Sequence, residues 1–309
     1  MVSMTPLAFT LICFVVSIGA GFIGSLLGLG GGLIVIPTLT LALHVDIRYA
    51  IGASIVSIIA TSSGAAAAYV RERMTNLRVA MVLEVATTLG ALTGGYLAGR
   101  IAGRWLFVIF GVVMACSAVM MLRKRRSAAG DEDEGTPWAN YLRLRGSYYD
   151  ASLGKEVSYR PVRARLGLAL MYVAGVMSGL LGIGSGVLKV PAMDLGMRLP
   201  IKVSSATSNF MIGVTAAASA GLYFARGDIN PFIAGPVAAG ILVGALIGAR
   251  VMGRLHATVI RYVFVVVLLI VSAQMVYKGA TQKKPALNTQ TPTQSERQET
   301  GTAVTHARP

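Results

Sequence analysis

Charged side chains are scarce in this sequence of 309 residues. They make up 13% of it, while 54% of the residues are hydrophobic. Soluble domains carry about 25% charged residues, and a soluble fold of this apolarity would have too few polar side chains to cover its surface. The scarcity therefore excludes an ordinary soluble domain and favours a protein whose surface faces lipid.

Cysteine is also nearly absent, and the sequence holds no cluster of His, Cys and carboxylate residues with the spacing of a metal site. Its two cysteines, Cys13 and Cys116, lie in apolar segments and form no disulfide framework, so we interpret them as packing residues. No nucleophile–base pair stands out. We therefore predict no metal, no cofactor and no enzymatic activity.

Acidic residues are fewer than basic ones, and the net charge is +15. A charge of this size raises the question whether the protein binds nucleic acid. The basic residues lie between apolar runs and in two polar segments, and residues 123–126 (Arg-Lys-Arg-Arg) directly follow an apolar run. Charges placed in this way set orientation in a membrane and attract anionic lipid. We therefore expect the lipid bilayer, and not nucleic acid, as their partner.

Long apolar runs dominate what is present, and about 20 apolar residues suffice to cross a bilayer. No Lys or Arg precedes Arg48, so the first run lacks the basic region of a signal peptide and is interpreted as a retained span. Two shorter apolar segments, 31–43 and 187–197, suit re-entrant or broken helices. The predicted class is an all-α integral membrane protein with about eight transmembrane helices. The predicted spans are 7–27, 49–70, 79–99, 105–122, 166–181, 203–225, 232–249 and 259–277.

Two polar segments interrupt and end the apolar sequence. Residues 123–165 are rich in charge and tyrosine, so we interpret them as a connecting loop, placed in the cytoplasm by its basic residues. Residues 279–309 are rich in Thr, Gln and Pro, and we predict a disordered tail there. The two transmembrane regions are then 5–122 and 166–278.

An internal repeat relates these two regions. A shift of 154 residues, the separation of Gly28 and Gly182, aligns residues 21–121 with the second half without a gap. Duplicated membrane halves with Gly- and Pro-interrupted segments at matching places are typical of secondary transporters, and the interrupted segments point to the binding site. In the first half the motif is Gly21, Leu26, Leu27, Gly28, Gly30, Gly32 and Pro37. In the second half it is Gly175, Leu180, Leu181, Gly182, Gly184, Gly186 and Pro191.

The sequence is compatible with two relative orientations of the halves. Four spans per half would give parallel repeats, and five crossings would give inverted ones. Basic residues mark the loop at 71–78, whereas its partner at 225–231 is balanced by Asp228. Because corresponding loops that exchange their basic bias lie on opposite sides of a membrane, the charges favour inversion.

The two Gly runs could bind an anion. Glycine allows a helix to end inside an apolar region, and the next short helix then offers backbone N–H groups and a positive end to a ligand. The alternative is that the glycines only permit close helix packing, which suits the Gly90/Gly94 and Gly244/Gly248 pairs better. We predict substrate contacts at Gly28, Gly30, Gly31, Gly32 and Pro37 and at Gly182, Gly184, Ser185, Gly186 and Pro191.

Polar residues inside the apolar segments extend this predicted site. Lys189 could supply positive charge for an anion, or it could pair with Asp194 or reach the membrane interface. Glu84 could be a proton-coupling carboxylate, but we favour an orientation toward the interface. The hydroxyl- and amide-bearing residues could line the pathway or bind neighbouring helices. The predicted pathway residues of this kind are Ser54, Ser208 and Asn209.

The doubled Gly motif resembles that of the TauE/SafE family, the sulfite exporters and 4-toluene sulfonate uptake permeases, over residues 5–278. The resemblance implies an inner-membrane permease of about eight spans whose relatives are linked to sulfite, sulfonates and sulfoacetate. The sequence departs from the short members in its long central loop. It also has Ser185 in place of a glycine and Lys189 in place of an apolar residue, which leaves substrate and direction open.

Two functions follow as hypotheses. The first is a secondary transporter of a small anion, most readily a sulfur oxyanion or sulfonate, coupled to a proton or ion gradient or driven by the anion's own gradient. The second is a membrane scaffold or assembly protein that acts through the central loop. Either is compatible with a homo-oligomer.

Overall fold

A computed structural model describes residues 5–98, 100–101, 103–122, 144–182 and 185–281. Gly184 of the second Gly motif lies outside the described residues. So do residues 123–143 of the predicted connecting loop and 282–309 of the predicted tail.

Helices make up nearly all of the described fold, and each short helix continues into a π-helical turn. The helices are α1 Pro6–Leu27, α2 Gly32–Pro37, α3 Ile47–Arg71, α4 Leu77–Ala98, α5 Gly103–Leu122, α6 Ala164–Leu181, α7 Gly186–Pro191, α8 Ile201–Ala225, α9 Pro231–Met252 and α10 Ala257–Thr281. The π-helical turns are Thr38–Ala42 and Ala192–Gly196, and the strands are β1 Gly146–Asp150 and β2 Lys155–Tyr159.

Local chemistry explains several helix ends. The side chains of Thr5, Asp46 and Asn230 each accept a hydrogen bond from a backbone N–H of the first turn of α1, α3 and α9, as N-cap residues do. The last turn of α1 ends where Gly28 adopts φ 70°, a left-handed conformation that favours glycine. These polar and Gly residues were visible in the sequence, so the boundaries of the spans follow from it closely.

Seven of the described helices are long and apolar enough to cross a membrane, namely α1, α3, α4, α5, α6, α9 and α10. The eighth predicted span, 203–225, corresponds to α8, which is as long as α3 at 25 residues but is not among these seven helices. Ser204, Ser205, Thr207, Ser208 and Asn209 of α8 are buried, so its polar side chains face other helices instead of lipid. The all-α membrane fold is therefore confirmed.

Two pairs of corresponding helices in the two halves run antiparallel, and the first pair is α5 and α10. The Lys278 ammonium lies over the Phe107 ring, whereas Ser272, which precedes Lys278 in α10, donates a hydrogen bond to Gly111, which follows Phe107 in α5. The chain order of the contacts is thus reversed between α5 and α10.

The same reversal holds between α3 and α8. Gly52, near the start of α3, packs against the carbonyl of Asp228, just after the end of α8. Thr75, just after the end of α3, bonds to the carbonyl of Ala206, near the start of α8. Antiparallel counterparts are the relation that inverted repeats require.

The remaining long helices are not paired with their repeat counterparts. Close glycine contacts pack α4 in parallel against α6, and α9 in parallel against α1. A Cβ on Gly90 or Gly94 of α4 would overlap with the backbone of α6, and a Cβ on Gly244 or Gly248 would overlap with that of α1. These glycines allow close backbone approach, as predicted for small residues at membrane helix interfaces.

A β-hairpin lies within the segment predicted as a connecting loop. Strands β1 and β2 pair antiparallel. The Asn76 side-chain amide donates to the Tyr159 hydroxyl at 3.1 Å, and Lys202 forms an ion pair with Asp150 at 2.7 Å. The hairpin therefore contacts the α3–α4 connection of the first half and the start of α8 in the second half. The composition of the segment did not predict this structure.

Candidate functional site

Each Gly motif ends a long helix in the interior of the bundle. Gly28 and Gly30 have φ 70°, and Gly182 has φ 62°. The left-handed conformation ends α1 at Gly28 and α6 at Gly182. The short helices α2 and α7 then begin at the buried residues Gly32 and Gly186. N–H groups in the first turn of such a helix have no partner within the helix. The motif thus produces the broken helices that the sequence predicted.

The two motifs meet each other. A Cβ on Gly186 would overlap with the carbonyl oxygen of Gly28. Ser208 donates its hydroxyl hydrogen to the Gly28 carbonyl at 2.6 Å, and Ser54 donates to the Gly182 carbonyl at 2.6 Å. The two halves therefore exchange equivalent hydrogen bonds at one junction, hereafter the glycine junction, formed by residues 28–32, 182, 185 and 186 with Ser54 and Ser208.

Packing at the first motif is equally close. The Gly31 N–H donates to the Thr61 hydroxyl at 3.3 Å. A Cβ on Gly32 would overlap with the Ser54 hydroxyl, and one on Gly30 would meet the side chains of Ile58 and Ile212 at 3.1 Å. Gly30 therefore faces apolar side chains that can move, whereas Gly32 faces a hydroxyl that is already committed to Gly182.

Two further residues of the predicted site have a buried polar atom without a hydrogen-bond partner among the described residues. The Ser185 hydroxyl is buried and has no hydrogen-bond partner among the described residues. The Asn209 amide donates to the Ser25 carbonyl at 2.6 Å, while its oxygen has no partner within the described part of the chain. Because buried polar groups normally find partners, the Ser185 hydroxyl is an available donor beside the glycine junction.

Pro37 and Pro191 lie at the ends of α2 and α7, where the chain passes into the π-helical turns. Pro37 also lines an apolar cavity of about 360 Å³ between α2 and α10, together with Ile34 and Gln274. Neither proline is among the groups that an added Cβ on a junction glycine would meet first. Their contribution is to shape the broken helices.

Lys189 is fully buried and forms an ion pair with Glu84. Its ammonium lies 3.2 Å from the Glu84 carboxylate and 2.7 Å from the Thr215 hydroxyl. The Thr215 hydroxyl also lies 2.6 Å from the other Glu84 oxygen. Thr87 and Thr88, one turn further along α4, bring their hydroxyls to the same carboxylate at 2.9 and 3.3 Å. The carboxylate is thus surrounded by four donors.

Two sequence interpretations are corrected here. The ion pair of Lys189 is formed with Glu84, whereas Asp194 forms an ion pair with Arg261. Glu84 does not reach the membrane interface, because it is 7% exposed and faces Lys189. The signal that was available is the spacing of Glu84, Thr87 and Thr88, which places three polar side chains on one face of a helix. The described residues contain no cluster that could hold a metal ion.

The helices, the duplicated broken segments and the buried junction define a multi-pass membrane protein of the kind that carries solutes. Residues 13–275 match the family model "Sulfite exporter TauE/SafE", so the chain belongs to this family. It is accordingly a membrane transporter, and the inner membrane is the typical location of the family.

Relatives of similar length support this assignment. The chain is 28% identical over 276 residues to "Probable membrane transporter protein YunE" of Bacillus subtilis, covering 87% of this chain and 97% of the relative. It is 27% identical over 278 residues to a "Probable membrane transporter protein" of Xylella fastidiosa, again covering 87% and 97%. No solved structure matches the chain at a significant level.

Proposed function

We propose that this protein is a secondary transporter of a small anion, a sulfur oxyanion or organosulfonate such as sulfite or sulfoacetate, and that it has no catalytic activity. The observation that carries the proposal is the glycine junction, where Ser54 and Ser208 tie each broken helix to the opposite half. Broken helices that meet between repeats are where transporters bind their substrates.

The chemistry of the junction suits an anion. The first turns of α2 and α7 present backbone N–H groups, and the positive ends of helices attract negative charge. The Ser185 hydroxyl is an additional donor, and Lys189 follows Gly186 by less than one turn of α7. A tetrahedral or pyramidal oxyanion offers several acceptor oxygens to such donors. The name of the matched family supports sulfur oxyanions in particular.

The partners that follow are a small anion, the lipid bilayer and a coupling proton or ion, without nucleic acid. A homo-oligomer is compatible with this function.

Flux into proteoliposomes tests the proposal, with sulfite, sulfate, thiosulfate, a sulfonate and a carboxylate offered in parallel. Gly30→Leu, at the junction, and Gly221→Leu, in α8, form a matched pair of variants, because a Cβ on Gly221 meets nothing within 4 Å. We expect flux of a sulfur anion by the wild type and by Gly221→Leu, and loss of flux in Gly30→Leu. Gly184→Leu is expected to behave as Gly30→Leu does.

Absence of flux for every anion, from protein shown to be folded by size-exclusion chromatography, would contradict the transporter proposal. Deletion of residues 127–141 within the connecting segment separates the transporter from the scaffold hypothesis. A transporter should keep its flux without these residues, whereas a scaffold that acts through the loop should lose its partner.

A further inference from the structure

One buried ion pair breaks the equivalence of the two halves. Lys189 is 0% exposed and Glu84 is 7% exposed. The repeat places Val35 at the position equivalent to Lys189, and Ala238 at the position equivalent to Glu84. The pair is therefore no part of the packing that the two halves share.

The same asymmetry appears at a matched threonine. Thr61 accepts a hydrogen bond from the Gly31 N–H of the first motif. Its equivalent, Thr215, instead accepts a hydrogen bond from Lys189 and lies within hydrogen-bond distance of Glu84. The threonine that supports the glycine junction in the first half thus corresponds to one that contacts the ion pair in the second half.

Separating two buried charges of opposite sign has a high free-energy cost. A protein with a buried ion pair is often no more stable than one with apolar residues packed in the same place. Removal of one partner, however, leaves an uncompensated buried charge that is strongly destabilising. Ionisable residues inside membrane helices commonly mark proton and ion pathways. If an anion takes Lys189 as its counter-ion, the Glu84 carboxylate loses its charge partner and is neutralised by binding a proton.

We propose that Glu84 carries the coupling proton of transport: the bound anion replaces Glu84 as the partner of Lys189, and Glu84 takes up one proton from solution. The carboxylate and the proton form a carboxylic acid, and release of the anion returns Lys189 to Glu84 and the proton to solution. One proton then moves with one anionic charge, so a monoanion crosses without net charge. The inference rests on the proposed anion transport.

The surroundings of Glu84 leave Lys189 as the charged group that controls its proton. Helices α6 and α8 pack along α4, and α8 brings the Thr215 hydroxyl to the carboxylate. Helix α7 brings Lys189, and α4 itself brings Thr87 and Thr88. Within the described residues no other charged side chain lies within hydrogen-bond distance of Glu84.

A sulfonate is the appropriate probe, because its charge does not change near neutral pH. Wild-type proteoliposomes are examined in two assays: exchange of labelled for unlabelled sulfonate at equal pH, and accumulation with the lumen one pH unit more alkaline. Tight one-to-one coupling should accumulate sulfonate about tenfold per pH unit, since a tenfold ratio is equivalent in free energy to one pH unit.

Glu84→Gln should retain exchange, because Gln can stay neutral with the anion on Lys189, and should lose the accumulation. The matched control Glu72→Gln changes an exposed carboxylate at the end of α3 and should leave both assays unchanged. Accumulation by Glu84→Gln equal to that of wild type would overturn the inference. So would loss of exchange in folded Glu84→Gln, since the carboxylate would then be needed for anion binding itself.

A trapped pH dye removes the dependence on any variant. A sulfonate gradient imposed on wild-type proteoliposomes without a pH gradient should acidify the lumen as sulfonate enters. Exchange without acidification would overturn proton coupling while leaving anion transport intact. Absence of both exchange and acidification would overturn the transporter proposal together with the inference.

Discussion

The two halves of this protein share one scaffold but differ where charge is buried. In both halves a long helix stops at a left-handed glycine, a short helix follows, and a serine of the next helix binds the glycine carbonyl of the opposite half. The first half surrounds its short helix with apolar residues such as Val35, whereas the second half buries Lys189 against Glu84. Equivalent residues of the two halves form the glycine junction. The Lys189–Glu84 ion pair has no equivalent in the repeat, and it is the feature to which we assign proton coupling.

We expect the largest effect on stability when a lysine is buried in the first half, for which the repeat supplies no carboxylate partner. Val35→Lys buries an ammonium where the repeat offers Ala238 instead of a carboxylate. We expect a loss of about 3–5 kcal/mol, the cost of an unpaired buried charge, seen as a lower thermal unfolding midpoint in detergent. Val35→Met is the control and should stay near wild type. An unchanged midpoint for Val35→Lys would show that the first half tolerates the charge and would remove the proposed difference.

The next largest effect is expected from glycine-to-alanine substitutions, which should destabilise the two motifs to different extents. In Gly186→Ala the new Cβ overlaps with the backbone carbonyl of Gly28, which has little freedom to move, whereas in Gly32→Ala it overlaps with the Ser54 side chain. Overpacking costs about 1–3 kcal/mol, and we expect the larger loss for Gly186→Ala. Ser54→Ala should partly restore Gly32→Ala, and Ser208→Ala should not restore Gly186→Ala. Equal losses and equal rescue in urea titrations would contradict this ranking.

Removal of the two junction hydroxyls should have nearly the same effect in each half. Ser54→Ala leaves the Gly182 carbonyl without its donor, and Ser208→Ala does the same to Gly28. A buried acceptor that loses its partner costs about 1–3 kcal/mol. Thermal unfolding should therefore report two similar decreases. A loss confined to one variant would show that the junction is one-sided.

The smallest effect concerns the hairpin, which follows α5 in the first half and has no described equivalent after α10. Burial alone would raise the pKa of Asp150, but hydrogen bonds from Lys202 and Ser152 and the charge of Lys202 outweigh it and hold the pKa at about 2, below its ordinary value of 3.8. The stabilisation is therefore complete above pH 3.8 and is lost as the pH falls through about 2.

Limited proteolysis after acid exposure measures this contribution. Wild-type protein should become more easily cut in the hairpin as the pH falls through this window, whereas Asp150→Asn should be cut to the same extent above and within it. Parallel pH curves for the two proteins would show that Asp150 does not hold the hairpin in place.

The extent of sequence-based prediction differs between these features for physical reasons. Span lengths and helix ends follow from local chemistry, such as Asp46 as an N-cap and Gly28 as a helix stop, and both are visible within a few residues. The partner of Lys189 could not be predicted, because Glu84 lies 105 residues away in the chain. Its pairing depends on how α4 and α7 pack, and apolar composition does not encode that packing.

The hairpin was missed for a related reason. Its strands are short, polar and flanked by a long charged segment, so their composition matches that of a solvated loop. What orders them is contact with Asn76 and Lys202, which belong to the two transmembrane halves. The predicted substrate role of the glycine motifs stays a prediction, although the glycines themselves meet as the repeat suggested.

The most direct test of the account is substrate protection at Ser185, whose buried hydroxyl has no partner among the described residues. Ser185→Cys is prepared with Cys13 and Cys116 replaced by alanine and is reacted in proteoliposomes with an uncharged maleimide. Tyr149→Cys, on the exposed face of the hairpin, is the control. A transported sulfonate should slow labelling at position 185 several-fold and leave position 149 unaffected. Equal labelling at position 185 with and without the sulfonate would contradict an anion site at the glycine junction.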